Sequence, residues 1–476
     1  MTAQELYETV KGWGNDFGVK LDIGEKSTAI LRRNINFNDE DKNAQFFGYI
    51  RPEEADRGGY CDLSYVIFPQ QNNGLCIIAI GIGSEGFRND NDLAALPGLR
   101  RQFLKLLDIK DDMGGCKTSF LDRESDVLPE FVQKVNLLAP DLSTALNKYK
   151  KDLPIYQLVN PDTDEGQKTL KAWLALYAQL RGWGGKTQEP KIDKAIREGI
   201  IKVTKISDEE NVLDLVNTRK YVVLQGAPGT GKTRLAKEIA KKIVGEGNSK
   251  NIVFTQFHAE TSYSNFIYGI KPKLNAATIG YEPNEGDLFK SIELALSNPE
   301  KKVVLIIDEI NRANLATVLG PVFYLFEYQM QEADVAYEIV PGKKINALPK
   351  NLYVIATMNT ADRSLAVVDF ALRRRFAWYT LTPTPINFPE GHNSNFFKDY
   401  FEKVSSIFEL YATDEELNLQ PGQGYFIAKD EAEMKNRLIY EIMPLLKEYF
   451  AEGLVLSAKD SFTNYFYQKT EVLLYK

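Results

Sequence analysis

Gly226-Ala227-Pro228-Gly229-Thr230-Gly231-Lys232-Thr233 reads G-x-x-x-x-G-K-T. In this pattern glycines let backbone N–H groups close on phosphate oxygens. Lys232 is placed to reach the β- and γ-phosphates of a nucleoside triphosphate, and the Thr233 hydroxyl to ligate Mg2+. Arg234, the next residue, extends the candidate nucleotide contact. A second constellation begins at Asp308-Glu309, directly after the apolar run Val303–Ile307. Asp308 is the candidate to hold the magnesium, directly or through water, and Glu309 the candidate to polarise an attacking water. Together these residues could hydrolyse a β–γ phosphoanhydride.

Such chemistry needs elements that place two loops side by side. The apolar run Tyr221-Val222-Val223-Leu224 precedes the glycine-rich loop, and a helix-like run follows from Arg234. A helix N-terminus there would add partial positive charge at the phosphates. Five apolar strand candidates follow in order: Tyr221–Leu224, Ile252–Phe254, Val303–Ile307, Leu352–Thr357 and Ala377–Leu381. Helical segments separate most of them, which predicts an α/β fold, a parallel sheet covered on both faces. Tyr337 to Ile345, with Pro341-Gly342 at its middle, reads as a β-hairpin insertion. From Ile386 onward helical patterns return, clearest over Ile439–Phe450, and predict a helical lid.

The first 150 residues carry no nucleotide motif. Strand-like Leu75–Ile82 alternates with helix-like Leu99–Leu107 and Leu128–Leu138, so an α+β domain is expected. The expected division is 1–150 for an α+β domain that recognises a target, 151–190 for a helical connector, 191–383 for the nucleotide-binding domain and 384–476 for the lid. Asn160-Pro161-Asp162 and Gly182-Trp183-Gly184-Gly185 are the turn signals that suggest the connector.

The chain has 476 residues, 44% of them hydrophobic and 26% charged, and a net charge of −7. That length implies several domains and that composition a globular protein. No apolar stretch reaches membrane-spanning length and no leader pattern opens the chain, so a cytoplasmic protein is expected. Cys61, Cys76 and Cys116 lack metal spacing and read as thiols. His258 and His392 are the only histidines, which disfavours a histidine metal centre or triad. Residues 1–150 hold 18 Lys and Arg against 23 Asp and Glu. Any nucleic-acid contact there would need a local basic face, for which Arg32-Arg33 and Arg100-Arg101 are candidates.

Three further stretches carry a resemblance. They are Asp308-Glu309-Ile310-Asn311-Arg312-Ala313-Asn314, Met358-Asn359-Thr360-Ala361-Asp362-Arg363-Ser364 and Asp369-Phe370-Ala371-Leu372-Arg373-Arg374-Arg375-Phe376. Together they closely resemble the McrB family, the AAA+ motors of modification-dependent (type IV) restriction systems. The segments Gln256–His258 and Tyr263–Gly269, and Pro444–Phe450 in the lid, are similar as well. The resemblance runs from about Val203 to Gly453 and does not reach the first 150 residues.

It implies an AAA+ P-loop fold, GTP in place of ATP, a hexameric ring with nucleotide between subunits, DNA, often modified, as target, and an McrC-like partner that carries the nuclease. It places Asn359 as the residue that orients the attacking water with Glu309, and Asp362 in the N-T-A-D element. Arg374 and Arg375 stand where the family has arginines acting on the phosphates, at least one from the neighbouring subunit; Arg312 and Asn311 stand near the same interface. A planar, always-charged guanidinium suits that task. One departure is Pro321–Met330, where the family's closing Asp-Lys-Arg is missing. The glycine-rich loop reads phosphates only and no N-K-x-D guanine motif is evident, so GTP rests on the resemblance and ATP is the alternative. With ATP, the competing expectation is a remodelling ATPase whose first domain is an adaptor.

Overall fold

The computed structural model describes residues 1–21, 27–37, 44–54, 59–71, 74–185, 187–200, 207–273, 280–327, 337–340, 342–361, 370–388 and 393–475. The chain forms two compact units, Met1–Thr204 with Glu409–Ala412, and Lys205–Phe408 with Thr413–Lys476.

The first unit is built on a six-stranded antiparallel sheet. Its strands are β1 (Ile30–Asn34), β2 (Phe46–Ile50), β3 (Leu63–Phe68), β4 (Cys76–Ile82), β5 (Gly114–Cys116) and β6 (Ile155–Val159), in the spatial order β1-β2-β3-β4-β6-β5. Strand alternation makes two cores. Phe47, Tyr49, Tyr65, Ile67, Ile78 and Ile80 share one with helices Ala3–Asp16 and Asp164–Leu180. Val66, Phe68, Ile77, Ala79 and Leu158 share the other with helices Pro129–Leu138 and Ser143–Tyr149.

Residues 151–190, expected to be a connector, are integral to this unit. Ile155–Val159 is a strand of the sheet, paired with both β4 and β5. Helix Asp164–Leu180 buries Leu170, Trp173, Leu174 and Tyr177 in the core. Each such side chain contributes roughly 1.5–3 kcal/mol. The Tyr177 hydroxyl donates toward the carbonyls of Tyr49 and Leu63, 3.2 and 3.1 Å away. Helix Glu189–Gly199 also packs here through Ile192 and Ala195, so the nucleotide-binding part begins later than residue 191.

The second unit contains β7 (Tyr221–Gly226), β8 (Ile252–Gln256), β9 (Tyr268–Lys273), β10 (Gly280–Glu285), β11 (Val303–Asp308), β12 (Tyr337–Val340), β13 (Lys343–Ile345), β14 (Leu352–Asn359) and β15 (Ala377–Thr380). Five form one parallel sheet in the order β15-β7-β14-β11-β8. Val223, Leu305, Ile307 and Val354 pack on one face with helix Asp287–Ser297. Val222, Leu224, Ile306 and Ile355 pack on the other with helices Asp208–Arg219 and Lys232–Val244. The doubly covered sheet is as the uninterrupted apolar runs predict. The β12–β13 hairpin is as expected, with a bulge between Glu338 and Val340.

The β9–β10 hairpin is an addition that alternation does not announce. Its strands are largely exposed and carry Pro272 and Pro283. After β15 the lid is mostly helical: Lys398–Tyr411, Glu431–Arg437, Met443–Ala451 and Lys459–Thr470. A π-turn, Leu438–Ile442, links the middle two, just before Pro444 removes a backbone donor.

Candidate nucleotide site

The parallel sheet brings strand C-termini together, and those of β7, β8, β11 and β14 each deliver one part of the candidate site. The end of β7 leads into the glycine-rich loop, where Gly229 and Gly231 have φ of +80° and +85°. Only glycine adopts that region without strain. Lys232 opens the following helix and is 7% exposed. Its Nζ donates to the carbonyls of Gly226 and Ala227 at 2.9 and 2.8 Å. Thr230 Oγ1 also donates to the Ala227 carbonyl, at 2.8 Å. Arg234 is 67% exposed and pairs with Glu238 at 2.7 Å, on the outer face of the helix.

β11 lies two strands from β7 and ends in Asp308, which is 8% exposed. Its Oδ1 accepts from Thr233 Oγ1 at 2.8 Å and from Thr357 Oγ1 at 2.6 Å. Thr357 Oγ1 in turn accepts from the Glu309 N–H at 3.0 Å. One hydroxyl of β14 therefore locks both acidic residues in register. Glu309 sits at φ 54°, ψ 48°, the left-handed region, which is sparsely populated by residues other than glycine and is common at functional sites. Its carboxylate meets Arg312 Nε at 2.8 Å and accepts from Gln256 Nε2, at the end of β8, at 3.3 Å.

Asn359 ends β14 directly opposite Gly226 of β7. The Asn359 carbonyl accepts from Asn311 Nδ2 at 3.5 Å, and the Thr360 N–H donates to the Gly226 carbonyl at 3.1 Å. Lys232, Thr233, Asp308, Glu309, Arg312 and Asn359 thus converge. The two arginines expected to act on phosphates are separated by environment. Arg375 is 10% exposed, pairs with Glu327 at 2.8 Å and lies over the Phe323 ring. Arg374 is 73% exposed. Asp362 lies outside the described residues.

The donor set fits magnesium. A hard cation with reluctant dehydration takes one carboxylate, a hydroxyl, phosphates and water, not a cage of protein carboxylates. Asp308 and Thr233 supply the first two, and no cluster of three His, Cys, Asp or Glu residues occurs among the described residues.

The lid adds contacts that motif spacing does not disclose. The N–H groups of Gly422 and Gly424 donate to the carbonyls of Pro228 and Gly229, each at 2.9 Å. Gln423, 8% exposed, donates from Nε2 to the Thr230 carbonyl at 2.9 Å and accepts from the Thr384 N–H at 3.3 Å. At Gly229 an added Cβ would lie 2.9 Å from the Tyr425 ring, so this glycine is required by space as well as by φ. Thr357, Gln256 and Gln423 therefore join the candidate site although sequence reasoning did not name them for it; only their places at the ends of predicted strands or in a Gly-Gln-Gly turn hinted at them.

Residues 221–376 match the AAA domain (dynein-related subfamily). The chain is 33% identical over 288 residues to the type IV methyl-directed restriction enzyme EcoKMcrB subunit of Escherichia coli (strain K12), covering 56% of this chain and 61% of that protein. It is 30% identical over 193 residues to the type II restriction enzyme BsuMI component YdiS of Bacillus subtilis (strain 168), covering 33% of this chain and 55% of that one. The chain thus spans somewhat over half the length of the curated relatives it matches. Among the described residues no helix is long and apolar enough to cross a membrane. With its sheet order, its phosphate loop and acidic pair, and these matches, the second unit carries an AAA+ P-loop domain, similar in sequence to the McrB subunit of a type IV restriction enzyme.

Proposed function

We propose that this protein hydrolyses a nucleoside triphosphate, GTP in preference to ATP, as the ring-forming motor of a DNA restriction system, and that its turnover drives DNA translocation and activates a partner nuclease. The observation that supports the reading is the linkage Thr233–Asp308–Thr357–Glu309, in which one hydroxyl joins the proposed metal ligand Asp308 and the proposed water-polarising residue Glu309. Magnesium, when bound with the nucleotide, supplies charge neutralisation at the β- and γ-phosphates. Lys232, turned toward its own loop carbonyls, exchanges those acceptors for phosphate oxygens. Glu309, released from Arg312, orients water together with Asn359. Arg374, exposed at the end of a short helix, suits reach into a neighbouring subunit, whereas Arg375 holds that helix through Glu327. The names of both relatives as restriction components support the biological setting.

The test is hydrolysis of GTP and ATP side by side by the purified chain, with and without duplex DNA and an McrC-like nuclease subunit. GTP preference and stimulation by the partner are expected. ATP preference with no response to DNA or partner would replace this reading by that of a protein-remodelling ATPase.

A further inference from the structure

The phosphate loop is held from behind by the lid, and the bonds that hold it follow a pattern. Five consecutive carbonyls, Gly226 to Thr230, each accept a hydrogen bond. The first two are served from the loop and the neighbouring strand. Gly226 accepts from Lys232 Nζ and the Thr360 N–H, and Ala227 from Lys232 Nζ and Thr230 Oγ1. The next three are served by the lid. Pro228 accepts from the Gly422 N–H, Gly229 from the Gly424 N–H and Thr230 from Gln423 Nε2, each at 2.9 Å.

A trans peptide points its C=O and its N–H in opposite directions. Fixing the carbonyls of Pro228, Gly229 and Thr230 therefore fixes the N–H groups of Gly229, Thr230 and Gly231, and turns them away from the lid. In a G-x-x-x-x-G-K-T loop such N–H groups close on phosphate oxygens. Gly229 and Gly231, at φ of +80° and +85°, have the freedom to let those peptides turn over unless they are held. A lid that blocked the site would bond the N–H groups, in competition with phosphate. Here it bonds carbonyls, which phosphate does not use. Among the donors to these carbonyls only Lys232 is needed by a phosphate. Once it turns away, Gly226 keeps Thr360 and Ala227 keeps Thr230.

The contact between turn and loop is close enough to dictate composition. Gly422 has a φ of −70°, open to any residue, yet an added Cβ would run into the backbone of Gly229 and Thr230. Only the presence of the loop requires glycine there. Gln423 is fixed at both ends of its amide, since Oε1 accepts from the Thr384 N–H at 3.3 Å while Nε2 donates to Thr230. We infer that the turn Gly422–Gln423–Gly424 is a working part of the phosphate site: it orients the loop's N–H groups for the phosphates of a nucleoside triphosphate without touching them. These three are positioning residues. The inference rests on the hydrolysis reading for its ligand and is independent of the DNA-motor part of that reading.

The test uses the full-length chain, titrated with fluorescently labelled GTP and ATP beside steady-state hydrolysis. Gly422→Ala, which lifts the turn from the loop, is expected to weaken binding roughly 10- to 100-fold, with KM rising in parallel and kcat within a few-fold. Gln423→Leu should weaken it about tenfold, and the double variant should be no worse than Gly422→Ala, because both act through one contact. Thr360→Val is the control. It removes a different bond between lid and sheet, from Thr360 Oγ1 to the Asn418 carbonyl at 2.7 Å, and leaves the loop carbonyls bonded. Its affinity should stay within about threefold of the unaltered protein. By reciprocity, nucleotide should slow amide hydrogen exchange at Gly422 and Gly424 in the unaltered chain and not in Lys232→Ala. Melting temperature checks folding; should Gly422→Ala melt early, Gln423→Leu and the exchange measurement decide. Unchanged affinity in both turn variants, or equal losses in Gly422→Ala and Thr360→Val, overturns the inference and leaves the hydrolysis reading standing. ATP preference with no response to DNA or partner, together with weak binding in the turn variants, supports the inference and overturns the motor reading. No binding of either nucleotide to the unaltered chain overturns both.

Discussion

Thr357→Val isolates the hydroxyl that joins the two acidic residues. Valine keeps the shape of a side chain that is 2% exposed, so no cavity opens. Two bonds disappear: the 2.6 Å donation to Asp308 and the 3.0 Å acceptance from the Glu309 N–H. A hydrogen bond to a charged group contributes about 1.5–3 kcal/mol, and an orphaned buried N–H costs about 1–3 kcal/mol. Asp308 keeps its bond from Thr233, so the proposed metal ligand remains in place and nucleotide affinity is expected to change little. Glu309 loses the bond that holds its left-handed backbone, a conformation that costs of order 1–3 kcal/mol to maintain. If about half of the lost energy oriented Glu309, turnover falls roughly 10- to 100-fold, at 1.36 kcal/mol per decade. Steady-state phosphate release, paired with titration of a fluorescent nucleotide, separates the two effects. A double variant with Glu309→Gln should be no slower than Glu309→Gln alone, because both act on one group. Turnover within about twofold of the unaltered protein, or a loss explained wholly by weaker binding, refutes the reasoning.

Glu309→Gln by itself should preserve nucleotide binding while lowering turnover by about 10²–10⁴, measured by the same pair of assays. Arg374→Ala should reduce turnover by about 10³ or more with no change in melting temperature, whereas Arg375→Ala should lower the melting temperature through loss of its buried pair with Glu327. Gln423→Leu removes one bond to the phosphate loop and one to Thr384, together about 1–3 kcal/mol, and should raise KM about tenfold with kcat within a few-fold. Asp90, 2% exposed, is opposed by burial but held below its ordinary pKa by Arg181, the Leu63 N–H and Arg51. Its contribution to stability is therefore fully present above the usual aspartate value of about 3.9 and lost as pH falls below it. Asp90→Asn should cost roughly 3–5 kcal/mol at neutral pH by leaving Arg181 buried without its charge partner, and should flatten the acid limb of a denaturation curve.

What could be read from sequence was whatever repeats at short range. Val303–Ile307 announces a buried strand because both of its faces are covered, and Gly226–Thr233 announces a phosphate loop because one turn holds all of its function. The acidic pair follows from its place at a strand end. Thr357, Gln256 and Gln423 escaped because each acquires its role from a partner far along the chain; Gln423 and Thr230 are separated by 193 positions. The assignment of 151–190 as a connector failed for a related reason. Gly182–Gly185 does break a helix, but turn residues mark the end of an element and not the end of a core, and Trp183 remains buried against Tyr49 and Tyr177. Arg374 and Arg375 look alike in sequence and differ only in the fold: both face Glu327, but Arg375 is buried against it at 2.8 Å and over the Phe323 ring, whereas Arg374 is exposed and 4.0 Å away.

The parallel sheet explains why chemistry so distributed can still be held to fractions of an ångström. The three inner strands, β7, β14 and β11, are each fixed in register by neighbours on both sides, and the pairs Asn359–Gly226 and Asp308–Gln256 lie at the same end of the sheet. A one-residue slip of β14 would turn Thr357 to the opposite face and break both of its bonds to the acidic pair. Ile355 and Val354, fully buried on opposite faces, oppose that slip, since each would move into the other's core. Core packing therefore sets the site geometry more tightly than the loops do. It follows that Ile355→Ala, far from any phosphate, should lower stability by about 2–5 kcal/mol and leave KM nearly unchanged in the fraction that remains folded. A selective rise in KM with no loss of stability would show instead that the loops, and the lid residues bound to them, position the site independently of the sheet.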